Sequence, residues 1–393
     1  MPSHRPLPKT IWALGFVSLF MDISSEIIHS LLPLFLVTVL GASLTTVGFI
    51  EGLGEGLALI VRVFSGSLSD RLRRRKPLLV TGYLMGTLSK PLFALAQGAG
   101  LVTTARSLDR IGKGLRGAPR DALVADLTPP QQRGAAYGLR QSLDSVGAFV
   151  GPVLAIVFMA LLANDYRAVF WLAFVPGAIA VTILVLFVRE PTVTASHASK
   201  DPLSTNDIPA LGFAYWLVIA IGMVFTLARF SEAFLLLRAQ QIGLATQWVP
   251  GVLALLSLFY ALGAYPAGRL SDRLGRGRLL TVGLLLLLLA HITLATATHV
   301  IHVAVGAALW GLHMAFTQGI FAALIADSAG QQRRGTAFGL FGLASGVAVL
   351  LASVIAGWLW DQYGPAATFY AGALFTLLTL MGYLLLRLRR IIV

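Results

Sequence analysis

Thirteen acids and bases interrupt runs of sequence that are otherwise apolar: Asp22, Glu26, Glu51, Glu55, Arg62, Lys90, Arg106, Asp109, Arg110, Lys113, Arg116, Arg140 and Asp144. Their spacing groups them. At about 100° per residue of helix, Asp22, Glu26 and His29 form one stripe. Glu51, Glu55 and Arg62 fall within about 40° of arc, and Arg106, Asp109, Arg110, Lys113 and Arg116 within roughly 120°. Arg140 and Asp144 stand one turn apart. Such groupings suit reversible proton chemistry. Taking a carboxylate out of water favours its protonated form, and a nearby arginine favours the ion. An arginine that moved relative to the acid would therefore load and unload a proton. Glu26 or Asp22 is the expected exchanging acid and Arg110 the expected controlling cation, with Glu55 and Asp144 as further carboxylates of the relay. The competing interpretation is a static web of ion pairs that keeps helices in register.

These groups need unusual elements to hold them. Of 393 residues, 57% are hydrophobic and only 12% are charged, against about a quarter charged in a soluble protein. So little polar material cannot make a water-facing surface, and lipid must be the solvent. A charge at the centre of a spanning helix costs about 2.5–3.5 kcal/mol on insertion scales, so most of the thirteen must face one another or water. Twelve segments have the roughly 20 apolar residues that a crossing requires: 11–40, 45–69, 77–97, 101–126, 135–162, 167–188, 211–238, 247–269, 279–297, 300–327, 335–360 and 366–387. The first is too long for a signal-peptide core and is read as an uncleaved span.

The net charge of +13 invites a nucleic-acid interpretation, but the basic residues sit in short loops between apolar runs. The N-terminus, the even-numbered loops and the C-terminal tail hold twenty Lys and Arg, Arg120 among them, whereas the odd loops offer only Arg167 and Arg238. That asymmetry places both termini in the cytoplasm and makes a bacterial inner membrane the expected site, with no nucleic-acid partner. The chain has no cysteine, so it has neither disulfides nor thiolate metal sites.

A repeat organises the twelve segments. Gly66-Ser-Leu-Ser-Asp70-Arg71-Leu returns 202 residues later as Gly268-Arg-Leu-Ser-Asp272-Arg273-Leu, and Ala125-Asp126 returns as Ala326-Asp327. Two parallel halves follow, 1–188 and 211–393, joined by a polar Pro- and Ser-bearing linker at 189–210. Ser231-Glu232 in the second half echoes Ser25-Glu26 in the first.

The repeated loop G-x-L-x-D-R, followed by Arg73-Arg74-Arg75-Lys76 in the first copy and Gly275-Arg276 in the second, resembles the signature loop of the major facilitator superfamily. The resemblance covers the whole chain. It implies an all-α polytopic fold of twelve transmembrane helices in two pseudo-symmetric six-helix bundles, working by alternating access around a midplane cavity. It further implies a gating loop formed by Gly66, Asp70, Arg71, Gly268, Asp272 and Arg273. In that family the aspartate is understood to sit near a helix N-terminus in the opposite half, a position worth about 0.3–1 kcal/mol to a carboxylate. Arg73 replaces the family's usual glycine, which predicts a looser first turn. Arg74, Arg75 and Lys76 are read as topology signals only.

Gly138, Gly147, Gly151, Pro152 and Ala155 are similar to the superfamily's antiporter motif in all but the last glycine. Small residues on one face permit close helix packing, and Pro removes a backbone donor. In family members the motif goes with export in exchange for protons, so the resemblance implies a proton-coupled exporter of a small organic or amphipathic solute. It is expected to act as a monomer without a cofactor. The resemblance places His29, Glu51, Arg106, Asp109, Lys113 and Arg140 at the substrate cavity, joined from the second half by Arg229, Glu232, His313 and Gln318. Cargo could instead be a metal ion or an anionic metabolite, and a non-transporting receptor is the rival of another class. An intramembrane enzyme is disfavoured, since neither H-E-x-x-H nor G-x-S-x-G occurs. Gly112-Lys113-Gly114 lacks the Ser or Thr of a phosphate loop. Scattered histidines, including His299 and His302 at i, i+3, are read as packing residues before metal ligands.

Overall fold

The computed structural model describes residues 7–72, 74–190, 208–329 and 333–389. Its described residues form fourteen α-helices and no strand. The first six are α1 (Lys9–Thr38), α2 (Leu44–Leu72), α3 (Lys76–Leu95), α4 (Ala99–Leu127), α5 (Arg133–Leu161) and α6 (Tyr166–Phe187). Then follow α7 (Phe213–Ala228), α8 (Ala233–Gln241), α9 (Gly251–Leu274), α10 (Arg276–Ala295) and α11 (Val300–Thr317). The chain closes with α12 (Ile320–Ala329), α13 (Arg334–Tyr363) and α14 (Pro365–Leu388).

Ten helical stretches are long and apolar enough to cross a membrane by composition alone. The two long helices missing from that set are α2 and α4, each 29 residues. Both carry intramembrane charges, Glu51, Glu55 and Arg62 on α2 and the five from Arg106 to Arg116 on α4, and with them the count is twelve. Spans seven and ten are not the continuous runs expected at 211–238 and 300–327. The first breaks between α7 and α8 at Arg229–Glu232, and the second between α11 and α12 at Gln318–Gly319. Gly319 takes φ +76°, a left-handed conformation that a side chain resists. Nothing comparable marks the Arg229 break. In lipid, such interruptions persist only where protein or a water-filled cavity satisfies the freed backbone.

Helix ends within an apolar slab leave orphan amides and carbonyls, and long charged side chains answer them. Asp165 caps α6 by accepting from the amides of Arg167 at 2.9 Å and Ala168 at 3.2 Å. Glu190 accepts from the first amides of α3, at Arg75 and Lys76. At C-terminal ends the sign reverses, as the helix dipole favours. Arg167 donates to Ala94 O at 2.9 Å and Lys76 Nζ to Val185 O at 2.9 Å. The Arg238 guanidinium gathers the carbonyls of Leu294, Ala295 and Ala297 at 3.2, 3.5 and 2.8 Å. The two bases that stood alone on the odd loops are thus helix caps.

Two compact units emerge: Met1–His29 with Ile60–Ser199, and Ser30–Leu59 with Lys200–Val393. In the first, Ile11, Leu14, Val17 and Met21 of α1 meet Leu79 and Tyr83 of α3, Leu123 and Val124 of α4, and Ala180 and Leu184 of α6. The second has its own core of Tyr215, Val218, Ile219, Ile325 and Ala337. Within this unit a glycine ladder fastens the start of α2 to α13. A Cβ on Gly48 would lie 2.0 Å from Ser353 O, on Gly52 2.9 Å from Leu350 Cα, and on Gly56 2.6 Å from Gly346 O. From the other side, a Cβ on Gly357 would lie 2.2 Å from Leu44 O. The helices touch backbone to backbone, which accounts for residues 30–59 packing with this unit.

Candidate functional site

The acidic stripe of α1 meets the glycines of α5. A Cβ on Gly147 would stand 2.9 Å from Asp22 Cβ, and one on Gly151 2.5 Å from Glu26 Cβ. Two elements noted separately in the sequence therefore form one seam, in which the absence of side chains on α5 makes room for the acids of α1. Both acids are half-buried, Gly147, Gly151 and Pro152 are buried, and Pro152 is one residue past the seam. Gly138 differs from the other motif glycines: it is exposed, and a Cβ there would meet no described atom within 4 Å. The charges surrounding Asp22 are Asp144, Lys113, Arg116 and Arg120.

Deeper in the same unit is an ion cluster sealed from solvent. Lys90 of α3 donates from Nζ to Asp109 Oδ1 at 2.8 Å, with the two side chains 1% and 4% exposed. The same ammonium reaches Ser25 Oγ at 3.3 Å, beside Glu26 on α1. Arg110 Nε lies 3.6 Å from the other Asp109 oxygen. One turn away, Arg106 NH2 meets His29 Nδ1 at 3.0 Å, both residues buried. Arg116 is buried with its guanidinium 4.6 Å above the Tyr83 ring, a cation–π contact. Close approach of α3 and α4 makes these contacts possible, because Gly82 and Gly112 face each other's backbone carbonyls. Glu51 is fully enclosed and Glu55 half-buried on the part of α2 that belongs to the other unit.

A third group of charges centres on Asp121. Arg62 approaches it at 3.2 Å, Arg120 at 3.6 Å and Arg140 at 3.8 Å. Arg140 also pairs with Asp144 at 2.9 Å, as its one-turn spacing predicted. Arg120 is not a loop residue: α4 runs through Pro119 to Leu127, so Arg120 lies on the helix and donates to Ser18 Oγ at 2.9 Å. Lys113 stays exposed.

In the repeated loop, Asp70 pairs with Arg75 at 3.3 Å, and Arg75 Nε meets Asp126 at 2.6 Å. The second half repeats the latter contact, Arg276 NH1 to Asp327 at 3.5 Å. The two sequence echoes are thus partners of each other in both units. Arg75 bridges two aspartates and does more than signal topology. Gly66 lets α2 approach α4, a Cβ there lying 3.4 Å from Ala118 Cβ, whereas one on Gly268 meets open space. Arg71 and Arg273 are exposed. Arg73, linker residues 191–207 and the Asp272 side chain lie outside the described residues.

In the second unit, Arg229 closes α7 with its guanidinium 5.5 Å from the Phe225 ring, and Glu232 precedes α8. His313 is buried and bonds through Nδ1 to Gly283 O at 2.8 Å. The carbonyl can only accept, so Nδ1 carries the proton. Gln318 accepts from the Tyr260 hydroxyl at the second helix break. His302 caps α11 by accepting from the amides of Thr298 and His299.

Lys90, Asp121 and Arg120 are the participants that sequence reasoning did not place at the site. Lys90 stood out only as the one charge within the apolar run 77–97.

Apolar spans that gather their ionic groups inside the protein define a multi-pass membrane protein. Family comparison agrees: the profile of the Major Facilitator Superfamily matches residues 14–256 and 213–391. The chain belongs to that superfamily. It is 33% identical over 390 residues to an uncharacterized MFS-type transporter of Methanocaldococcus jannaschii, covering 98% of this chain and 96% of that one. An uncharacterized Mycobacterium tuberculosis (H37Rv) protein is 28% identical over 358 residues, 90% and 87% of the two chains. The multidrug resistance protein MdtH of Yersinia pestis is 33% identical over 156 residues, 40% of this chain and 38% of its own. Among solved structures, the nucleoside transporter NupG superposes with a TM-score of 0.82 at 10% identity, covering 96% and 99% of the chains. A POT family transporter in complex with 5-aminolevulinic acid gives 0.81 at 14%, covering 98% and 97%. These two share the fold.

Proposed function

We propose that this carrier exports a small organic or amphipathic solute in exchange for protons. The observation that carries this reading is the α1–α5 seam, where Gly147 and Gly151 seat Asp22 and Glu26. An acid held between close-packed helices and ringed by cations can bind a proton in one arrangement of its neighbours and lose it in another. Glu26 or Asp22 exchanges the proton and Arg110, tied to Asp109, controls it. Glu55 and Asp144 extend the relay. His29, Glu51, Arg106, Asp109, Lys113 and Arg140 meet the solute from the first half, and Arg229, Glu232, His313 and Gln318 from the second. Partial likeness to MdtH supports an organic cargo over a metal.

In this reading the halves 1–188 and 211–393 move as two bodies joined by the 189–210 linker, with Asp70 and Asp272 as gate residues. The protein works as a monomer in the bacterial inner membrane with both termini cytoplasmic. The test is a screen of purified protein in liposomes holding a pH-sensitive dye. Lipophilic cations, organic anions and divalent metals are added in turn under an imposed pH gradient. The reading expects an organic solute to move protons. A response to divalent metals alone would replace it with metal transport.

A further inference from the structure

We propose that Lys90 is a second proton-exchanging group of this carrier, releasing a proton from Nζ while Asp109 remains ionised. The inference rests on the proton-coupled reading above and adds to it a group on α3.

The chain contains twenty-five arginines and five lysines, at positions 9, 76, 90, 113 and 200. Almost everywhere a cation was needed, arginine stands. In the sealed cluster the chain departs from that habit. Arg110 and Arg116 face Lys90 from α4, with the buried Arg106 on the same helix, and only Lys90 brings an amine. The chemical difference is decisive for proton traffic. A guanidinium does not lose its proton in proteins, whereas a lysine occurs both as ammonium and as amine. Of the four buried lysine and arginine side chains of this cluster, Lys90 alone can cycle.

The geometry supports both states. As ammonium, Nζ holds Asp109 Oδ1 at 2.8 Å and Ser25 Oγ at 3.3 Å. After one proton leaves, the amine nitrogen has a lone pair that can accept from the Ser25 hydroxyl, and its remaining hydrogens still reach Asp109. The carboxylate keeps a charged partner throughout, because Arg110 Nε lies 3.6 Å from Oδ2. Lys90, Asp109 and Ser25 thus each keep a partner in both states. The groups facing Lys90 are Asp109, Arg110 and Arg116 on α4 and Ser25 on α1. On α6, packed along α3, the nearest cation is Arg167, which donates to Ala94 O one turn beyond Lys90. Ser25 Oγ lies within reach of Nζ, so the released proton has a hydroxyl at hand on α1, the helix that carries the acidic stripe.

The experiment is hydrogen–deuterium exchange of the full chain in lipid nanodiscs, without any solute. Rates are corrected for the pH dependence of chemical exchange and compared for wild type, Lys90→Arg, Lys90→Met and Glu26→Gln. In wild type, exchange in peptides of α3 and α4 should change by at least about threefold between pH 6 and pH 9. Lys90→Arg keeps the charge and a donor to Asp109 but cannot cycle, so its profile should be flat. A merely structural role would be rescued by arginine with the pH response intact. Lys90→Met should also be flat and should match wild type at high pH; if it does not fold, Lys90→Arg decides. A flat wild type, or a wild-type response kept in Lys90→Arg, overturns the proposal. Loss of the response in Glu26→Gln together with its retention in Lys90→Arg would remove Lys90 and leave the coupling role of Glu26 standing. Retention in Glu26→Gln with loss in Lys90→Arg assigns the response to Lys90.

Discussion

Asp361, at the end of α13, offers a test of how the glycine ladder is locked. Its carboxylate accepts from Leu44 N at 3.0 Å, Thr45 N at 2.8 Å and Thr45 Oγ1 at 2.6 Å, capping the first turn of α2. An N-cap carboxylate removed to alanine costs typically about 1 kcal/mol, within a range of about 0.5–2 kcal/mol. Asp361 is exposed, which argues for the low side. The second amide and the hydroxyl argue for more. About 1.4 kcal/mol for Asp361→Ala follows, a tenfold rise in the fraction of time the start of α2 stands away from α13. The chain has no cysteine, so one can be placed at Val47, which is 0% exposed on α2 three residues after the cap. A thiol there reacts only when α2 lifts. Labelling of Val47→Cys should therefore quicken about tenfold when Asp361→Ala is added, as expected for local opening. A change smaller than twofold would refute the claim that the cap holds this contact.

Gly52→Val pushes a branched side chain against the α13 backbone, where a Cβ alone would lie 2.9 Å from Leu350 Cα. It should cost about 1–3 kcal/mol, lower the melting temperature, and raise Val47→Cys labelling as well. Arg238→Ala strips three carbonyls of their donor at the α10 end. It should cost about 3 kcal/mol in thermal unfolding. Arg238→Lys should recover part of that, since an ammonium cannot reproduce the fork.

Much of the architecture was legible because lipid imposes simple rules. Runs of apolar residues gave all twelve crossings, α2 and α4 among them at 45–69 and 101–126 despite the charges they carry. Periodicity says which face of a helix a residue occupies, but not which helix that face meets. Asp22, Glu26, Gly147 and Gly151 were each identifiable, yet their contact joins positions about 125 residues apart and emerged only in the fold. The same holds for Arg75 with Asp126 and Arg276 with Asp327, partners quoted from the sequence as separate echoes. Helix breaks were less visible still. Gly319 offers a local cause, but the interruption at Arg229 contains neither Gly nor Pro. Arg120, counted with the even loops in the sequence, lies on α4, because spanning helices tolerate a proline such as Pro119 where neighbours satisfy the freed carbonyl.

The coupling role assigned to the α1 acids is reached most directly by Glu26→Gln in proteoliposomes, with solute flux measured under an inward proton gradient and again without one. The substitution keeps the size of the side chain and its seat against Gly151 while removing the exchangeable proton. The account predicts gradient-driven flux in the wild type and none in the variant, with solute binding preserved. Full gradient dependence in Glu26→Gln would contradict it.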